Sequence, residues 1–92
     1  MGLMLHEIKA INATHRTTDP REAARRVDKV MRWGYYVIEF SPYHVRIQDA
    51  VDFWPTSGKW RDARGYKFER EGYGLATLNQ YLRRRYPILE DA

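Results

Sequence analysis

Ninety-two residues, 43% hydrophobic and 14% aromatic, suffice for one domain with its own core and no staples. The absence of cysteine excludes disulfides, thiolate metal sites and cysteine nucleophiles together. No apolar run approaches the ~18 residues of a membrane span, and the opening MGLMLHEIK lacks a signal-peptide core, so the expectation is one cytoplasmic domain over residues 1–92 with no membrane partner.

The formal charge of +4 and a pI near 9.6 invite a nucleic-acid reading, but position matters more than the total. Residues 1–34 carry seven Lys/Arg against four Asp/Glu, residues 35–71 six against six, and residues 72–92 three against two. The excess sits on the flanks and not on the aromatic middle.

In chain order, Leu3–Asn12 mixes β-branched and charged residues and reads as a strand. A well-marked helix start follows in TTDPREAARR, with Asp19 at the N-cap, Pro20 at the first helical position and Glu22 at capping-box spacing. Gly34 supplies the stop. On the helical wheel Ala23, Val27, Val30 and Met31 share one face, and Arg21, Arg25, Asp28, Lys29 and Arg32 the opposite one. The β-formers of Tyr35–Phe40 predict a strand, and Ser41-Pro42 a turn. From His44 onward Val45, Ile47, Val51 and Phe53 keep one parity, while His44, Arg46, Gln48, Asp52 and Trp54 keep the other. Beyond the PTSG turn Trp60, Tyr66 and Phe68 again share a parity. A final helix runs from about Leu75 to Tyr86, with Leu75, Leu78, Leu82 and Tyr86 on one stripe, and Pro87 ends it. The expected order is β-α-β-β-β-α. It describes an α+β domain whose antiparallel three- to four-stranded sheet carries two helices on one face.

The stretch VDFWPTSGKW sets the register. Pro55 suits the first corner of a turn and Gly58 its exit, so Pro55–Gly58 forms a four-residue loop. Trp54 then faces Lys59, Phe53 faces Trp60, and Asp52 faces Arg61, with Ile47 and Val45 reaching Tyr66 and Phe68 if pairing persists. One face holds Val51, Phe53 and Trp60 and is core. The other holds Asp52, Trp54, Lys59 and Arg61, with cation–π and opposite-charge pairs across the strands, each worth roughly 0.2–1 kcal/mol. Trp54 either stiffens the hairpin over the Lys59 stem or anchors a partner.

Catalytic signatures are missing: no GxSxG, HExxH, P-loop or GxGxxG occurs. His6, His15 and His44 have no ligand spacing to one another, so no metal or other cofactor is expected. His44 beside Glu69 or Tyr43 is the nearest approach to an acid–base pair. Gly72-Tyr73-Gly74 suits a tight entry turn, with anion binding at the helix start as the other use of such glycines. Arg83-Arg84-Arg85 favours the negative end of the last helix. The expectation is a non-enzymatic protein.

The order from Asp19 to Tyr86 resembles the double-stranded-RNA-binding domain in outline. That family places a lysine cluster at the start of its last helix, where this chain has GYGLATLNQ with no basic residue, so the family's RNA site is not carried over. DFWPTSGKW together with GYGLATLNQYL is similar to small accessory proteins of bacteriophages and prophages, over about Val51–Leu82, a third of the chain. That resemblance implies action by binding, including inhibition of host defence as anti-CRISPR proteins perform it.

Two functional expectations follow. In the first, the chain binds a host protein or nucleoprotein complex through Trp54, Tyr35 and Tyr43, framed by Lys59 and Arg61. In the second it binds DNA or RNA, with Arg21, Arg25, Lys29, Arg32, Arg83 and Arg84 on phosphates and Trp54 with Lys59 as a stacking edge.

Overall fold

The computed structural model describes residues 15–64 and 70–88. The expected strand at Leu3–Asn12, and Tyr66, Phe68 and Glu69, lie outside the described residues. Helix α1 spans Pro20–Arg32 and helix α2 Leu75–Arg85. Between them run five strands: β1 Val37–Ser41, β2 His44–Ile47, β3 Val51–Phe53, β4 Lys59–Asp62 and β5 Glu71–Tyr73. They form an open antiparallel sheet in chain order, so the α+β class holds while the strand number rises from three or four to five.

Helix α1 starts where its chemistry dictates. The Asp19 carboxylate accepts the Arg21 N–H at 2.9 Å, and Pro20 opens the helix. The reciprocal half of the capping box is absent. The Asp19 N–H donates to Thr17 Oγ1, and Glu22 instead pairs with Arg25 at 3.1 Å and Arg26 at 3.8 Å. Ala23, Val27 and Val30 are buried on its inner stripe, whereas Met31 is exposed. Helix α2 buries Leu78 and Leu82 as its stripe requires, and adds Tyr81. Both helices meet the sheet on one face, where Val27, Val30, Leu78, Tyr81 and Leu82 share a core with Val45, Ile47, Val51, Phe53 and Trp60. Each such fully buried apolar side chain contributes about 1.5–3 kcal/mol.

The hairpin register is the expected one. Phe53 pairs with Trp60 and Asp52 with Arg61, and Trp54 exchanges backbone bonds with Lys59 and Gly58 around the Pro55–Gly58 loop. The stretch before it differs. His44–Phe53 is a hairpin and not one long strand: Val45 pairs with Phe53 and Ile47 with Val51, which replaces the expected partners Phe68 and Tyr66. Gln48 and Asp49 both carry positive φ (55° and 53°), the signature of a primed hairpin turn. Gln48 is held there by Tyr36, which accepts the Gln48 N–H at 2.7 Å and donates its own N–H to Gln48 Oε1 at 2.8 Å.

The loop Pro55–Gly58 is fastened through its carbonyls. Arg26 donates to Pro55 O at 2.8 Å and also to His15 O. The Thr17 N–H reaches Thr56 O at 2.7 Å, the Gly74 N–H reaches Gly58 O at 2.9 Å, and the Gly58 N–H reaches Trp54 O at 2.8 Å. Pro55 is fully buried. Gly58 sits at φ +78°, and a Cβ there would come within 2.8 Å of the His15 Cβ, so no other residue fits.

Trp60 is 4% exposed, stacks at 4.8 Å on Tyr81, and donates its indole N–H to Thr77 Oγ1 at 3.1 Å. Its ring lies so close to β5 that a Cβ on Gly72 would stand 2.7 Å from it. Gly72 is therefore a strand glycine beneath an indole and not part of a helix entry turn. Trp60→Ala should destabilise by about 3–5 kcal/mol, as large aromatic core deletions do, and Trp54→Ala by far less. Urea melts of the two variants check this, and equal losses would contradict the division of faces.

Candidate functional site

With both helices on the Phe53–Trp60 side, the other face of the sheet carries no element among the described residues. Register sorts its side chains into two rows. One row runs Ile38, Arg46, Asp52, Arg61, Glu71 across all five strands. The parallel row runs Phe40, His44, Trp54, Lys59, Tyr73.

The second row is an aromatic strip. Trp54 is half-buried and stacks on His44, with ring centroids 5.0 Å apart and planes 12° from parallel. Phe40, 51% exposed, meets the other side of this group edge-on at 5.0 Å from His44. The ring partner of Trp54 is thus His44 and not the Lys59 stem, which was one of the two expected uses of this indole. His44 is held in place by its Nε2, 2.9 Å from Asp52 Oδ1, a partner other than the expected Tyr43, while Glu69 lies outside the described residues.

The first row is charged, and its pairing departs from register. Arg46 donates to Asp52 through Nε at 3.0 Å and Nη2 at 3.4 Å, and its guanidinium also lies 5.2 Å from the Phe40 ring. The hydrogen bond to Asp52, and then its charge, raise the Arg46 guanidinium above its ordinary pKa. Asp52 is consequently spent on His44 and Arg46, and the expected Asp52–Arg61 ion pair does not form. Lys59 and Arg61 have no side-chain partner among the described residues.

The remaining expected site residues are scattered. Tyr35 is 7% exposed and belongs to the core, with its hydroxyl lacking a hydrogen-bond partner; as a surface anchor it is corrected to a core residue. Tyr43 is exposed but lines a groove of about 180 Å³ against Ala23, Ala24, Val27, Asp28 and Glu39. It therefore lies on the helix side, away from Trp54. Arg21, Arg25, Lys29 and Arg32 are exposed on α1 opposite its buried stripe, and Arg25 is paired with Glu22. Arg83 and Arg84 are exposed at the end of α2, with their guanidinium carbons 6.0 Å from the Tyr35 and Tyr81 rings. The basic stripe and the aromatic strip thus face opposite sides of the domain.

Two further features lie on the helix side of the sheet. A cavity of about 210 Å³ lies among His15, Glu22, Arg26, Gly58, Gly74 and Leu75. Two N–H groups of Arg26 go to carbonyls and the Gly74 N–H to Gly58 O, so these particular donors are already engaged within the fold. The second feature is Asp62, 4% exposed on the helix side of β4. Its Oδ2 accepts the Tyr81 and Tyr86 hydroxyls, each at 2.7 Å, and its Oδ1 accepts the Arg64 N–H at 2.9 Å. Burial pushes this carboxyl up, but the two tyrosine bonds, the Arg64 amide and the Arg70 charge outweigh it and hold it below its ordinary value. Burial, and then the bond to Asp62, raise both tyrosines. The cluster ties β4 to α2 and was not singled out in the sequence, where Asp62 reads as a turn residue. Among the described residues no three metal-ligating side chains gather, and no helix is long and apolar enough to cross a membrane.

No family model matches the chain, and neither a curated protein nor a solved structure does.

The Asp62 cluster fixes the sign of a pH effect. A carboxyl held below its unfolded value of about 4 stabilises the fold above that value, and the contribution fades as pH falls through the lower folded-state value. Tyr81→Phe removes one of the bonds that lower it. Urea midpoints at about pH 7 and about pH 3 should therefore differ less in Tyr81→Phe than in the parent, with the loss concentrated at the higher pH. An identical pH difference in the two proteins would contradict this role.

Proposed function

We propose that the protein is a small binding module that docks a partner protein on the open face of its sheet, with no catalysis of its own. One observation carries this reading: among the described residues a strip of Phe40, His44 and Trp54 lies uncovered beside two cations without a side-chain partner, Lys59 and Arg61. A half-exposed indole held by a ring on one side is a low-entropy anchor, and tryptophan and arginine dominate interface hot spots. The strip also forms without help from the basic stripe of α1, which favours a protein partner over a strand of DNA or RNA.

The resemblance of Val51–Leu82 to phage and prophage accessory proteins supports a host protein or nucleoprotein complex as the partner, with inhibition of host defence as the biological outcome. In this reading the loop and Trp60 are the scaffold, and Trp54 is the contact.

A capture experiment from nuclease-treated and untreated bacterial lysate tests it. The parent should retain the same protein in both arms, and Trp54→Ala should weaken retention by about 2 kcal/mol or more, roughly 30-fold in affinity. Retention that vanishes with nuclease, or that survives Trp54→Ala unchanged, would overturn the proposal.

A further inference from the structure

Resting on that docking face, we infer that its partner presents an acidic, partly apolar segment, whose carboxylates pair with Lys59 and Arg61 while an apolar side chain covers Trp54 and Phe40.

The argument is one of charges left over. Among the described residues five charged side chains lie on this face: Arg46, Asp52, Lys59, Arg61 and Glu71. Asp52 and Arg46 satisfy each other, and the Asp52 side chain is only 12% exposed. Their pair can be covered without loss. Lys59 and Arg61 are different. They stand on one strand, two residues apart on the same face, beside the indole, and neither has a side-chain partner among the described residues. A cation covered by a partner without an acceptor loses its hydration with nothing in return. Whatever settles over Trp54 must bring acceptors to those two positions.

Phosphates could also supply acceptors, but the surroundings favour carboxylates. The row of Arg61 ends at exposed Glu71, and among the described residues only two free cations stand on this face, with no continuous basic track. A peptide can place two acids against two cations and an apolar side chain against the indole, which is what this mixed surface asks for. Complementary charge of this kind sets which partner binds and how fast it arrives.

The test uses the full chain, isotope-labelled for amide NMR. Four probes are titrated: a short synthetic peptide alternating Asp/Glu with Leu/Phe, the same peptide with Asn/Gln in place of the acids, the same with Lys, and a single-stranded oligonucleotide. The acidic peptide should shift amides around Trp54, Lys59 and Arg61 and weaken with added salt. Lys59→Glu and Arg61→Glu should each lower its affinity by roughly tenfold, with Arg61→Gln losing less and Arg21→Glu on α1 losing nothing. Retained amide dispersion in each variant shows that the fold survives. Equal binding of the acidic and amide peptides, tighter binding of the oligonucleotide at these residues, or no shift there with any probe would overturn the inference. If Lys59→Glu and Arg61→Glu keep lysate capture while Trp54→Ala loses it, the docking face stands and the acidic partner falls.

Discussion

The domain depends on how the loop Pro55–Gly58 is fastened. A four-residue loop could slide by one residue, and in a sheet that slip turns every side chain over. Here the carbonyls of Trp54, Pro55, Thr56 and Gly58 each have a dedicated donor, drawn from the loop itself, from α1, from Thr17 and from the entrance to α2. Arg26 contributes two of its N–H groups to carbonyls, and hydrogen bonds from a charged donor are stronger than neutral ones. Proline inside and glycine at the exit leave no room for a shifted register. The loop is therefore the point where both helices and the central hairpin are brought into one frame.

That frame decides which indole does what. With Phe53 opposite Trp60, the second indole enters the core, meets Tyr81 and Thr77, and lies across a glycine strand that has no side chain to obstruct it. Trp54, one residue earlier than the proline, is left on the other face, where the nearest ring is His44. His44 is in turn positioned by Asp52, which Arg46 also holds. A chain of local contacts thus runs from a buried loop to an aromatic strip beside Lys59 and Arg61, which have no side-chain partner among the described residues. The described residues cover one face of the sheet and leave the other open, and the open face is where binding is proposed.

Much of this was legible in the sequence because short-range chemistry set it. Asp19-Pro20 marked the start of α1, Gly34 its end, and Pro55 with Gly58 gave the central register and the inward face of Val51, Phe53 and Trp60. The β2–β3 hairpin was not legible, for a definable reason. Its partners pair as Val45 with Phe53 and Ile47 with Val51, so the inward residues keep odd numbers through the turn, and alternation is the same for one long strand as for two short ones. The turn itself is Gln-Asp where Asn-Gly or Asp-Gly would signal a hairpin, and it depends on Tyr36, a residue remote in sequence. Tyr35 was misplaced because it precedes β1, which begins at Val37, and its burial is set by tertiary packing and not by strand alternation. The choice of Asp52 for Arg46 over Arg61, and the use of Asp62 by Tyr81 of the last helix and Tyr86 at its C-cap, are decided by tertiary geometry.

The division of faces can be read directly from the indole N–H signals. In the folded protein the Trp60 indole proton is bonded to Thr77 under α2, while Trp54 stands at the solvent side of the sheet. A soluble paramagnetic chelate should broaden the Trp54 indole resonance and leave that of Trp60 sharp, with each signal assigned by substitution. Broadening of Trp60 with Trp54 sheltered would contradict the account at its root.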